Sequence, residues 1–157
     1  VDGVPVGRIL GHDHTPIPPW PEPLQSSSII VIIATDAPLL PVQCRRLAQR
    51  ATVGPSRAGG VGHNGSGDIF LAFATGNHLP AKMGLVRDLK MIPHNHLNPF
   101  FEAVAEGVEE AILNSLTAAE TMVGYQGRIV HELPLDDLQK IMADYKEFAG
   151  RWWHKSP

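Results

Sequence analysis

Ser28 stands at the head of the run Ile29-Ile30-Val31-Ile32-Ile33-Ala34-Thr35-Asp36, behind two further serines, Ser26 and Ser27. Ile29 to Ile33 are uninterrupted β-branched residues with no polar alternation, which reads as a strand buried on both faces. A hydroxyl at the mouth of such a strand makes chemical sense if the chain is cut immediately before it. Ser28 would then carry a hydroxyl and a free α-amine, both fixed by a rigid strand. An α-amine titrates near ~8, so it can act as a base toward its own side chain near neutral pH. By composition alone Ser26 or Ser27 could fill the same role; register with the strand and with Ser66 favours Ser28.

A second chemical element is Ser66-Gly67-Asp68, which closes the Gly-rich loop Gly59 to Gly67 and opens Ile69 to Thr75, another apolar run. If the two runs pair as neighbouring strands, Ser66 and Asp68 come close to Ser28. Read alone, the segment is equally a Gly-rich turn with local side-chain hydrogen bonds. Phosphate and dinucleotide binding fit poorly. The loop lacks the Lys-Ser/Thr of a P-loop, and a strand follows it, so no helix N-terminus is there to receive an anion. Its backbone amides could instead line a substrate pocket, with Asn64 and Gly65 as candidate binding residues. The eight histidines concentrate in His12-Asp13-His14 and His94-Asn95-His96. Both clusters lie beside prolines with no cysteine or spaced carboxylate to complete a set, so no metal site is expected.

These groups need elements to hold them. Val1 to Leu10 reads as a short strand, with Pro5 at an edge or bulge. Gly11 to Gln25, with five prolines between Pro16 and Pro23, is an exposed connector suited to processing. After the first buried strand, Asp36 is expected to cap a helix whose first turn holds Pro38. That helix buries Leu39, Leu40, Leu47, Ala48 and Ala51, turns Gln43 and its arginines outward, and ends at Gly54-Pro55. Asn98-Pro99 opens a long helix with Phe101, Val104, Val108, Ile112, Leu116 and Ala119 as its buried stripe, running to Gly124. Arg128 to His131 is a strand or turn. A last helix starts at Pro134 and faces Leu138, Ile141, Met142 and Tyr145 inward. Buried strands interleaved with amphipathic helices make an α/β layered fold.

The chain of 157 residues is long enough for a real core, and 43% hydrophobic with 18% charged residues is ordinary globular composition. A net charge of −3 without a basic run argues against a nucleic-acid partner. The apolar run from Ile29 to Ala34 is far too short to span a bilayer, and no export signal opens the sequence. The lone Cys44 rules out an intramolecular disulfide and fits a reducing compartment, which slightly favours the cytoplasm over the periplasm.

Ser28 with IIVIIATDAPLLP, then GGVGHNGSGDIFLAFATGN from Gly59 to Asn77, resembles the C-terminal part of the L-aminopeptidase/D-amidase/D-esterase (DmpA-like) family, which includes the β-peptidyl aminopeptidases. The resemblance runs from about Val1 to Tyr145. It implies N-terminal-nucleophile chemistry: a precursor that cuts itself before a serine or threonine, which then acts on the N-terminal residue of a peptide, amide or ester. By position Ser28 is that nucleophile. Ser66 would hydrogen-bond it or its α-amine, and Asp68, glutamate in some members, would orient that bond and stabilise developing positive charge. The family's fold is an α/β/β/α sandwich, of which this chain would supply about half. Residues 1–27 would be the end of the upstream chain and its processing loop, 28–149 the nucleophile-bearing chain, and 150–157 a flexible tail. Family precursors are usually cut after glycine or asparagine, where this sequence has Ser27. The family's oxyanion asparagine lies upstream, so this segment alone is expected to be inactive. The expected partners are a small substrate, the upstream chain and further copies in a homo-oligomer, with no cofactor. A non-catalytic fragment that only folds and associates, an amide hydrolase acting on a pantetheine-type substrate, and a Gly-loop anion-binding module are the alternatives.

Overall fold

The computed structural model describes residues 1–11, 28–82 and 86–153, with side chains to residue 147. The chain divides into two compact units, Leu24–Ile112 and the paired ends Val1–Pro23 with Leu113–Pro157.

The central unit is built on two parallel strands, β1 (Ile30–Thr35) and β2 (Ile69–Ala74), in the register Ile30↔Ile69 through Thr35↔Ala74. Parallel neighbours require a crossover. Here it carries two helices, α2 (Pro41–Arg50) and α3 (Val53–Arg57), followed by the Gly-rich loop. The next helix is α4 (Asn98–Thr117), with a 3-10 turn at His94–His96 before it. A single apolar cluster joins Leu39, Cys44, Leu47 and Ala51 to Leu97, Val104 and Val108, and the inward strand residues Val31, Ile33, Phe70 and Ala72 pack against it. Burial pushes the Cys44 thiol above its ordinary range, against a smaller lowering by a backbone hydrogen bond.

The expectation of strands buried on both faces is corrected. Both alternate, and the outward residues Ile30, Ile32, Ile69, Leu71 and Phe73 are 46% to 69% exposed. The cluster of α2 and α4 covers one face of the sheet, and no described residue of the unit covers the other. A continuous β-branched run does not by itself distinguish a strand covered on both faces from one covered on a single face.

Helix α2 also departs from expectation. It starts at Pro41, with extended Leu40 as its N-cap, and not after Asp36. Thr35 Oγ1 accepts the Ala37 amide at 3.2 Å, so the Thr-Asp-Ala-Pro segment is a side-chain-closed turn before the helix. Gln43, expected at the surface, is fully buried: its Oε1 accepts the Leu40 amide at 3.0 Å and its Nε2 donates to the Ile92 carbonyl at 2.6 Å. Helical spacing alone cannot distinguish a polar residue that satisfies both ends of its amide from one facing water. Gly54-Pro55 lies inside α3 instead of ending α2. A Cβ on Gly54 would meet Val108 Cβ at 2.6 Å, so this glycine lets α3 close onto α4. Gly76 is similar, since a Cβ there would come within 2.3 Å of the Asp36 carbonyl.

In the second unit, α1 (Val6–Ile9) is a single helical turn, which corrects the expected strand over Val1 to Leu10. Asp2 and Gly3 have φ of 46° and 76°, bending the chain into a turn. Val4, Val6 and Leu10 are then buried against Leu133, Leu138, Ile141 and Met142, the last three on α5 (Leu135–Trp153). Tyr145 is exposed, not inward. α5 continues to Trp153, so the segment expected as a tail begins inside a helix. Helix α4 stops at Thr117, short of Gly124, leaving Leu116 exposed and Ala119 outside it. The short hairpin of β3 (Met122–Val123) and β4 (Ile129–Val130) follows, and β3 had no sequence signal of its own.

Candidate active site

The parallel register places the residues just before β1 beside those just before β2. Ile69 donates its amide to the Ile29 carbonyl at 2.9 Å, the first rung of the ladder. One residue before Ile29 and two before Ile69, the Gly67 N–H donates to Ser28 Oγ at 2.9 Å. Asp68 Oδ1 accepts from the Ile29 amide at 3.3 Å and from Ser66 Oγ at 2.5 Å. Ser28, Ser66 and Asp68 thus gather at one strand mouth. The strands carry the backbone there and the Gly-rich loop folds its end over it, with Ser66 N bonded to the His63 carbonyl at 2.8 Å. Ser28 and Asp68 are exposed and Ser66 is half-buried.

An open cleft of about 530 Å³ lies at this mouth. Ser28, Ser66 and Asp68 form its polar side, and Pro55, Phe70 and Ile112 contribute apolar wall. Asn64 and Gly65, the candidate binding residues, occupy a turn and do not line the cleft. His63 and Val61 do line it. Sequence reading passed over both because neither carries a motif of its own; position in the loop was the available signal.

No three or more of the His, Cys, Asp and Glu side chains among the described residues cluster to hold a metal ion. His94, in the 3-10 turn, has its Nδ1 2.9 Å from Arg46 Nη1. Since guanidinium only donates, that ring nitrogen is the acceptor. His12-Asp13-His14, Ser26 and Ser27 lie outside the described residues. No described helix is long and apolar enough to cross a membrane.

A parallel strand pair backed by helices belongs to the α/β fold of the DmpA-like proteins, a variant among the Ntn-hydrolase folds. The chain belongs to peptidase family S58, whose sequence profile matches residues 1–130. It is 45% identical over 124 residues to the β-peptidyl aminopeptidase BapA of Sphingosinicella microcystinivorans, a match covering 78% of this chain and 31% of that protein. Among solved structures, a Burkholderia sp. β-aminopeptidase superposes with a TM-score of 0.77 at 46% identity, covering 92% of this chain and 39% of the other. The L-aminopeptidase D-Ala-esterase/amidase of Ochrobactrum anthropi, described as a prototype for the serine aminopeptidases, superposes with a TM-score of 0.80 at 36% identity, covering 93% and 39%. The chain therefore spans about a third of the length of its curated relatives.

Proposed function

We propose that the full-length protein is a self-processing serine aminopeptidase with Ser28 as its nucleophile. The observation that carries the reading is the junction at the two strand mouths. There Ser28 Oγ accepts the Gly67 amide, and Asp68 is bonded to both Ser66 and the residue after the nucleophile. Membership of peptidase family S58 and the names of the relatives support amide and ester substrates with a free amino end.

In maturation, Ser28 Oγ attacks the carbonyl carbon of Ser27. The acyl group moves to oxygen as the C–N bond breaks, which frees the α-amine of Ser28, and water then hydrolyses the ester, leaving a carboxylate on Ser27 and the free hydroxyl on Ser28. In turnover, that amine takes the proton from Oγ as Oγ attacks the substrate carbonyl. The proton then passes to the departing amine or alcohol, and water releases the acyl group from Ser28. Ser66 orients the hydroxyl or the amine. Asp68 holds Ser66 through its hydroxyl and offers a negative charge toward the ammonium that forms. No step calls for a metal. The activity is one of the whole protein, since the match to this chain covers only 31% of its relative.

Expression of the full-length precursor with intact-mass measurement tests the reading. Two fragments are expected, the smaller starting at Ser28, together with release of the N-terminal residue from a free-amine peptide or anilide. The Ser28→Ala precursor is expected to stay as one chain without activity, because it lacks the nucleophile for both steps. Normal processing and turnover in that variant would move the nucleophile elsewhere.

A further inference from the structure

The hydroxyl of Ser28 is held by a backbone group. The Gly67 N–H donates to Ser28 Oγ at 2.9 Å. A Cβ built on Gly67 would stand 3.2 Å from that same oxygen, closer than neighbouring atoms normally tolerate. The φ of Gly67 lies outside the left-handed region, so backbone conformation does not demand glycine here. Space beside Ser28 Oγ is tight instead, since a methyl group there would push the hydroxyl back by a few tenths of an ångström. The Ile29 amide, bonded to Asp68 Oδ1 at 3.3 Å, ties the next residue of one strand to the next residue of the other. The two bonds form a reciprocal clasp that fixes Ser28 against Gly67 from both sides.

A serine hydroxyl has one proton to give and two lone pairs. With one lone pair engaged by an amide donor, the O–H bond cannot point at Gly67, and its proton is directed to another acceptor. The same N–H favours the negative charge that gathers on Oγ as its proton leaves, and again when Oγ departs from the acyl group.

We propose that Gly67 is a positioning residue for the nucleophile: its amide orients and polarises Ser28 Oγ, and its missing side chain keeps the two in contact. The proposal rests on the reading of Ser28 as the nucleophile. No atom passes to or from Gly67. The proton goes from Oγ to the α-amine, and an Oγ lone pair forms the bond to carbon, while the amide stays in place.

Two changes in the full-length precursor separate the contributions. Glycolic acid in place of Gly67, introduced as a backbone ester by nonsense suppression, removes the N–H and adds no atom. Gly67→Ala keeps the N–H and adds the methyl group. With an aminoacyl p-nitroanilide as probe, the ester is expected to lower kcat on the order of 10²-fold, as loss of a charge-stabilising donor does. KM and the melting temperature should stay close to those of the parent. Gly67→Ala is expected to lower kcat with little change in KM and to slow self-cleavage in step. An ester variant with full kcat, beside an inactive Ser28→Ala control, would overturn the positioning role and leave the nucleophile reading standing. A raised KM or lowered melting temperature that accounts for the loss would also overturn it, marking Gly67 as a turn residue. Activity surviving in Ser28→Ala would overturn both.

Discussion

Asp68 Oδ1 receives two donors, the Ser66 hydroxyl and the Ile29 amide, so one carboxylate oxygen links the second serine to the backbone beside the first. The side chain thus has a tethering role as well as the electrostatic one implied by the family resemblance. Asp68→Asn retains an oxygen that can accept the same bonds while removing the charge. Ser66→Ala retains the charge while removing one donor. Both are expected to slow precursor cleavage and turnover by roughly 10²–10⁴, the usual worth of positioned acid–base support. Since Asp68 is exposed and Ser66 only half-buried, their melting curves should match the parent. Gel-followed self-cleavage, kcat and thermal melts of the full-length variants check this. Full rates in both would reduce the pair to turn residues.

At the scale of elements, the cleft depends on how closely α3 meets α4. Thr52, Pro55, Ser56 and Ala58 come to the cleft from α3 and its ends. Gly54 packs against Val108 of α4. Gly54→Ala places a methyl group 2.6 Å from two Val108 carbons and 3.0 Å from the Glu109 amide, a contact that only a shift of one helix can relieve. Overpacking of this kind costs about 1–3 kcal/mol. A lower midpoint in denaturant with an unchanged slope is the expected result, and a stability equal to the parent would mean that α3 moves freely. The Arg57–Glu109 ion pair between the same two helices, at 3.3 Å and solvent-accessible, is too weak to compensate.

For the whole molecule, the open face of the β1–β2 sheet matters most. Ile30, Ile32, Ile69, Leu71 and Phe73 form a contiguous apolar surface of a kind that proteins seldom leave to water. Ile32 tests what this surface is for. In the chain described here Ile32→Asp changes an exposed side chain, and surface substitutions usually stay within about ±0.5 kcal/mol. In the full-length protein the same substitution is expected to cut the yield of soluble, processed enzyme sharply, because a charge would be buried without a partner. Equal yield and melting temperature in full-length parent and variant would show that the face stays open there too.

Several features were determined by local sequence. The two β-branched and apolar runs could only be strands, the Pro-capped amphipathic segments could only be helices, and the glycines before Asp68 excluded a phosphate loop by running into a strand. The pairing of those strands was expected and is present, and it carries Ser28 to Ser66 and Asp68 across nearly forty residues of sequence. Tertiary structure decided what periodicity cannot encode. Gln43 is buried because Leu40 and Ile92 happen to offer partners for both ends of its amide. Val4, Val6 and Leu10 suit a strand by composition, yet they lie in and around the helical turn α1, where α5 presents apolar side chains to pack against. Asn77, the last residue of the second motif, pairs both its amide atoms with the backbone of Lys90, closing a loop that local pattern leaves open. The bond from Gly67 to Ser28 was equally invisible, since an amide has the same sequence signature everywhere and acquires a function only from what the fold sets 2.9 Å away.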